Sequence, residues 1–409
     1  MSNGTTIKSW LRSDGRKGIR NVIVVAYLVE CAHHVARTIV NQSHSTDVQL
    51  IGFPGCYPNE YSLKIMKAVC THPNVGGVVL LSLGCEGFNR DELETAIKAS
   101  GRPVETLVIQ ESGGTKSTID AGLKTVAAMH KEISNVPKAD MRIDELVVGT
   151  ICGGSDGTSG ISGNPGVGYC FDRLVAENAT CIFEETGELI GCEPVMIERA
   201  ATPELAEEIN DCLIKAARYY EIMGYGSFAP GNAEGGLTTQ EEKSMGAYCK
   251  SGDSQIVGLI KPGDIPPTGG LYLLDVVPDG DPLFGFPNIS DNAEIVELIA
   301  CGSHIILFTT GRGSVVGSAI SPVIKICANP ETYQKLSEDM DINAGKVLEA
   351  KATPQDIGDE IYQRVVDVAN GAPSKSEELG HQEFILTYKQ FEPIGPSCLP
   401  VTSPLRVTA

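Results

Sequence analysis

Residues 145–160 read Glu145-Leu-Val-Val-Gly-Thr-Ile-Cys152-Gly-Gly-Ser-Asp-Gly-Thr-Ser-Gly160. A short β-branched apolar run that breaks into small and polar residues is the pattern of a buried strand feeding a ligand-sized loop. Helical spacing follows at 170–177, and residues 180–184 turn extended again, which completes one βα unit. Toward the N-terminus the same alternation recurs. Residues 21–29, 48–53, 75–83 and 106–110 read as strands, with helices at 31–41 and 91–99. Toward the C-terminus a long amphipathic helix at 204–223 is followed by strands at 270–277 and 304–309. Alternating units of this kind predict an α/β fold, with parallel βα sheets carrying helices on both faces, in two to three packed Rossmann-like portions. At roughly 100–200 residues per domain, the 409 residues divide as an N-terminal α/β domain at 1–140, a Gly-rich central α/β domain at 141–260 and a C-terminal α/β portion at 261–409. The last portion ends in a polar segment at 370–381 and a Pro-rich tail from Pro393.

Composition narrows the function. Asp and Glu number 52 against 32 Lys and Arg, a formal charge of −20, so no broad basic face is available for nucleic acid. Hydrophobic residues make up 42% of the chain and are spread along it, enough for a sizeable core. The first 20 residues hold no apolar stretch of the secretory kind, and no apolar run approaches the roughly 20 residues that span a bilayer. These features predict a cytoplasmic protein without membrane contact. In a reducing compartment the 13 cysteines read as thiols, core fillers or metal ligands, and the absence of Cys-x-x-Cys argues against a zinc ribbon.

Several cysteines fall where a parallel sheet binds its ligands, just past the carboxyl ends of strands. Cys56 lies in Gly52-Phe-Pro-Gly-Cys, Cys85 in Gly84-Cys-Glu, and Cys152 opens the loop quoted above. Thiolates suit iron, zinc and iron–sulfur clusters, so Cys56, Cys85 and Cys152 are the candidate metal ligands; the alternative is that they are small buried hydrophobes. The loop at 152–165 exposes backbone N–H groups before a helix, a ready anion site through Gly154 and Ser155. It lacks the Gly-Lys-Ser/Thr of a phosphate-binding P-loop. Asp156 is its one carboxylate, either a base or the acceptor of a turn. A second Gly-rich loop, 231–244, places Thr238 or Thr239 to cap a helix whose first turn carries Glu241 and Glu242. Lys243 there is either a solvated charge or a carboxylate contact. In the third, Thr309-Thr-Gly-Arg-Gly-Ser314, Arg312 is the strongest anion clamp, because a guanidinium binds a carboxylate bidentately.

Taken together these loops resemble the altronate/galactarate dehydratase family. The likeness runs through Asp14-Gly-Arg-Lys-Gly-Ile-Arg-Asn, Gly55-Cys, His72-Pro-Asn-Val-Gly-Gly, Gly84-Cys-Glu, Cys152-Gly-Gly-Ser-Asp-Gly, Gly235-Gly-Leu-Thr-Thr-Gln-Glu-Glu-Lys-Ser, Thr309-Thr-Gly-Arg-Gly-Ser and Asp339-Met-Asp-Ile-Asn-Ala-Gly. The resemblance implies a lyase that removes water from a sugar acid with help from iron, as Fe2+ or an iron–sulfur cluster. It also implies a separate small subunit and an oligomer, since family members often carry a further N-terminal domain that the likeness does not include. One departure bears on substrate: the segment Pro278-Asp-Gly-Asp-Pro-Leu-Phe-Gly-Phe-Pro-Asn-Ile-Ser290 replaces a Pro-Gly-Tyr-Asp-Pro type. The same family includes the large subunit of (2R)-sulfolactate sulfo-lyase, which releases pyruvate and sulfite. The expectation is therefore β-elimination from a small anionic 2-hydroxy acid. Arg312, Gly154, Ser155, Thr239 and Ser314 would bind substrate, Cys56, Cys85 and Cys152 the metal, and Glu86, Asp156 or Lys243 would move the proton. The alternative of another class is a non-catalytic scaffold whose partner supplies the active site.

Overall fold

A computed structural model describes residues 6–224, 226–279 and 289–389. Most of the departing segment at 278–290, and the Pro-rich tail, lie outside the described residues. The strands are β1 (Thr6–Leu11), β2 (Lys17–Gly18), β3 (Val22–Tyr27), β4 (Val48–Gly52), β5 (Val75–Ser82), β6 (Val104–Val108) and β7 (Lys138–Arg142). They continue as β8 (Val147–Cys152), β9 (Thr180–Phe183), β10 (Ile256–Ile260), β11 (Gly270–Leu274), β12 (Ile305–Thr310), β13 (Val323–Cys327) and β14 (Ile342–Asn343).

Two parallel sheets carry the fold. The smaller is ordered β4-β3-β5-β6 and the larger β10-β11-β9-β8-β12-β13-β14. The expected division at 260 falls between β10 and β11, which pair with each other, so residues 141–260 and 261–409 build one sheet. A small antiparallel sheet, β2-β1-β7, adds an element that the alternation of βα units did not anticipate.

The central strands of both parallel sheets are buried on both faces, as their continuous apolar runs require, while the edge strands β6 and β10 are partly exposed. On one face of the larger sheet, Phe171 and Leu174 of the helix Asn164–Ala176 pack with Ile357, Ile361 and Val365 of Pro354–Ala369. On its other face a single core joins the two sheets. Ile151, Ile306 and Phe308 share it with Val24 and Leu80, through the helices Glu60–Cys70 and Asp291–Ala300. The outer face of the smaller sheet is covered by Glu30–Ser43 and Thr115–Ile133. Among the described residues no helix is long and apolar enough to cross a membrane.

The order of the larger sheet locates its binding edge. From β8 the chain moves to β9 on one side, and after β11 it crosses to add β12 on the other. Connections that leave a strand in opposite directions open a crevice at its carboxyl end, and ligands of open α/β sheets bind there. The residue at that end of β8 is Cys152.

Candidate active site

A cavity of about 580 Å³ opens at this switch point. Its wall takes Cys152, Gly154 and Ser155 from the end of β8, Glu185 and Glu188 from the end of β9, and Arg312 from the end of β12. Lys243 enters from the helix Gln240–Tyr248, and Asp291 and Glu294 from the helix Asp291–Ala300.

The loop after β8 is held open by its neighbours. A five-residue π-turn at Ser159–Gly163 leads into the helix Asn164–Ala176, which begins earlier than its apolar spacing suggested because Pro165 sits at its start. Gly153 has no room for a side chain: a Cβ there would lie 2.1 Å from Asp291 Oδ2. Gly154 adopts φ +64° and its carbonyl accepts N–H bonds from Gly311 (3.2 Å) and Arg312 (2.9 Å), which ties the loops after β8 and β12 together.

At the centre stands a group of three potential ligands. Cys152 Sγ, a Glu185 oxygen and a Glu188 oxygen lie within 4.8 Å of one another. The thiol approaches Glu188 Oε2 at 3.2 Å and Ser155 Oγ at 3.1 Å, and the Cys152 N–H donates to Glu185 Oε1 at 2.9 Å. Glu185 has φ +87°, a conformation that costs a non-glycine residue energy and that clusters at functional sites. Lysines balance the two carboxylates: Lys250 pairs with Glu185, and Lys243 Nζ lies 2.6 Å from Glu188 Oε1.

The protonation states follow from these contacts. Burial, then the nearby Glu188 charge, pushes the Cys152 thiol up to about 11, so it is neutral until a cation claims it. Burial alone would lower the Lys243 ammonium, but Glu188, Cys152 and Asp291 together outweigh it and the net shift is upward. Lys243 is therefore a fixed positive charge and a poor base. Asp291 opens onto the cavity, yet the protein crowded around it withdraws solvent and Glu188 repels it, raising its carboxyl to about 6. One thiolate and two carboxylates are a donor set suited to a divalent first-row ion such as Fe2+, with positions left for substrate. The residues present fit such an ion.

The residues singled out from sequence fare differently. Cys152, Gly154, Ser155, Lys243 and Arg312 converge on the cavity. Arg312 is already engaged, its Nη1 donating to the Gly231 carbonyl and to Glu234 Oε2 (3.1 Å). The three cysteines do not come together: among the described residues the only clustered ligand group holding one of them is Cys152 with Glu185 and Glu188. Cys56 and Cys85 are exposed at the carboxyl end of the smaller sheet, where the Gly87 N–H donates to the Cys56 carbonyl at 2.8 Å. Glu86 belongs to that same end and accepts from the Gly84 N–H at 2.9 Å.

Asp156 is buried and fully occupied. Its Oδ1 accepts from the Thr158 N–H (2.8 Å) and hydroxyl (2.5 Å), and its Oδ2 from Asn329 Nδ2 (3.1 Å). That is the turn-stabilising arrangement. Thr239 caps the helix of Lys243 by accepting from the Glu242 N–H at 3.2 Å, and the Ser314 hydroxyl accepts from the Val316 N–H at 3.2 Å. Sequence reasoning passed over Glu185, Glu188, Asp291 and Glu294. The run Glu184-Glu185-Thr-Gly-Glu188 directly after a buried strand was the available signal for the first two.

Comparisons with known proteins agree with this arrangement. The family description "D-galactarate/Altronate dehydratase, C-terminal" matches residues 143–391, and "D-galactarate dehydratase/Altronate hydrolase, second domain" matches 9–134. The (2R)-sulfolactate sulfo-lyase subunit beta of Chromohalobacter salexigens is 30% identical over 94% of this chain and 97% of that protein. The altronate dehydratase of Bacillus subtilis is 29% identical over 93% of this chain and 77% of its own length. The galactarate dehydratase (L-threo-forming) of Escherichia coli is 30% identical over 76% of this chain and 59% of its own length. All three relatives are lyases. With both family descriptions matched in order, and the larger covering the whole sheet that bears the cavity, the chain belongs to the D-galactarate/altronate dehydratase family.

Proposed function

We propose that the chain catalyses β-elimination from a 2-hydroxy carboxylate, in the first place the dehydration of a sugar acid to a 2-keto-3-deoxy acid. The observation that carries this reading is the meeting of a carboxylate with a raised pKa, Asp291, and a fixed ammonium, Lys243, in one cavity at the switch point of the larger sheet. A carboxyl poised near the working pH suits removal of a proton α to a carboxylate. The ammonium and the donors of the glycine loop stabilise the enediolate that results. Arg312 and the N–H groups around Gly154 and Ser155 hold the substrate carboxylate. A divalent ion bound by Cys152, Glu185 and Glu188 would supply Lewis acidity toward substrate oxygens. Lys243 keeps Glu188 oriented, and Lys250 does so for Glu185.

Sulfite as the leaving group is the second reading. It is favoured by the extent of the match, since the sulfo-lyase subunit is covered over 97% of its length and the B. subtilis dehydratase over 77%. That relative's designation as a subunit supports a further small subunit for this chain, and the 13 cysteines of this chain support a cytoplasmic site of action.

The test is a substrate panel. The protein, supplied with Fe2+ under anaerobic conditions, is offered altronate, galactarate and (2R)-sulfolactate while keto acid and sulfite are both measured. Keto acid without sulfite from a hexonate or hexarate is the expected result. Sulfite release from sulfolactate alone would replace the first reading by the second, and no keto acid from any of the three would overturn both.

A further inference from the structure

We propose that Glu294 is the acid that protonates the departing β-hydroxyl, a catalytic role that rests on the elimination described above and commits the site to hydroxide as its leaving group. The helix Asp291–Ala300 lies between the two parallel sheets, and every residue from Ala293 to Ala300 is buried. A helix enclosed on all sides is expected to be apolar throughout. This one carries carboxyls at 291, 294 and 297, a spacing that aligns them along one side.

Their surroundings separate their roles. Glu297, at the deep end, accepts from Lys389 Nζ at 2.8 Å and from the Tyr61 hydroxyl, which makes it a tie between the sheets. Asp291 opens onto the cavity. Glu294 lies between them, 4% exposed, its side chain forming part of the cavity wall. Three neighbouring carboxylates have their own ammonium, Lys243 for Glu188, Lys250 for Glu185 and Lys215 for Asp275, whereas Glu184 and Asp291 have none among the described residues. Glu294 has none among them either.

The groups that face it are Glu184 and Glu188 from the end of β9, Tyr220 from the helix Pro203–Met223, Tyr61 from the helix Glu60–Cys70, its helix neighbours Asp291 and Glu297, and Lys389 from the C-terminal segment. Burial at the cavity wall, with no ion pair of its own, favours its neutral form over the carboxylate. A carboxyl group at a cavity wall without a counter-ion is a proton donor at neutral pH.

The chemistry needs one. Asp291 takes the α-proton, and the Cα–H electron pair becomes the enediolate. As that pair moves into the new Cα=Cβ bond, the Cβ–O bond breaks and the hydroxyl takes the Glu294 proton to leave as water. The enol then tautomerises to the 2-keto acid, and the proton held by Asp291 returns to solvent as Glu294 is reprotonated from it. Sulfite departs without a proton, so an acid placed here has work only when hydroxide leaves.

Glu294→Gln tests this. The amide keeps the size and neutrality of the acid, so the fold is preserved while the acidic proton is lost. In D2O, keto acid formation and deuterium incorporation at Cα of the unreacted hydroxy acid are followed together. Product formation is expected to fall by about 100-fold or more, while α-deuterium incorporation persists within a few-fold and Glu294→Asp recovers part of the turnover. Keto acid formation by Glu294→Gln within about threefold of wild type would overturn the assignment. So would a parallel loss of elimination and exchange. Wild-type protein that releases sulfite from sulfolactate but no water from a hydroxy acid overturns the hydroxide commitment and leaves β-elimination standing. Wild-type protein inactive on both fails the broader reading itself.

Discussion

At the scale of single residues, Cys152 and Cys85 carry nearly the same sequence signature and differ in what surrounds them. Both follow an apolar strand and adjoin glycine, yet only Cys152 finds two carboxylates within ligand range. Cys152→Ala is therefore expected to weaken Fe2+ binding by more than the roughly 10–100-fold that loss of an outer-shell partner costs, and Cys85→Ala to leave it unchanged. Metal content after anaerobic gel filtration distinguishes them, and iron loss from the Cys85 variant alone would refute the placement. The chain could show which cysteines end strands, but which strand ends face one another depends on sheet order, and Cys56 and Cys85 turned out to lie on the other sheet. Asp156 illustrates the reverse case. A carboxylate in a glycine loop reads as chemistry until its acceptors are seen to be filled by Thr158 and Asn329.

At the scale of elements, most of the parallel strands were legible because burial on both faces makes them continuous apolar runs; β10, whose Val257 is exposed, and β13, whose apolar run is broken by Lys325, were not. The helix Asp291–Ala300 was not, since enclosure on all sides removes the amphipathic stripe that announces a surface helix. The start of β12 supports a prediction about pH. His304 is buried where the sheets meet; its Nδ1 accepts from the Val147 N–H at 3.0 Å, so its Nε2 carries the proton and donates to the Lys17 carbonyl at 2.9 Å. Burial holds its pKa down at about 4, and His72 beside it is lowered in the same way. Between pH 4 and the unfolded value near 6.5 the unfolded chain binds more protons, so stability is complete above that window and falls as pH drops through it. The loss at His304 is on the order of 3 kcal/mol. Glu294 contributes with the opposite sign, its raised pKa favouring the folded state toward acid, so the comparison must be between variants. The urea midpoint of wild type is expected to fall more steeply from pH 7 to pH 4.5 than that of His304→Gln, and equal slopes would contradict the buried neutral histidine.

At the scale of the molecule, the central claim is about place: the chemistry belongs to the cavity at the end of β8, where the larger sheet reverses its order, and not to the cysteine-bearing end of the smaller one. Arg312 and the glycine loops were found from sequence because their residue types are unusual wherever they occur. Asp291 was missed because its function depends on crossing from one sheet face into a crevice built by β8, β9 and β12. The smaller sheet acts through the shared core that braces the helix Asp291–Ala300. The most direct measurement compares kcat of Asp291→Asn and Glu86→Gln, with thermal unfolding of both recorded, on whichever hydroxy acid the wild-type protein converts. The account predicts a loss of about 100-fold or more in the first and turnover within about twofold of wild type in the second. Full activity in Asp291→Asn together with an inactive, folded Glu86→Gln would contradict it.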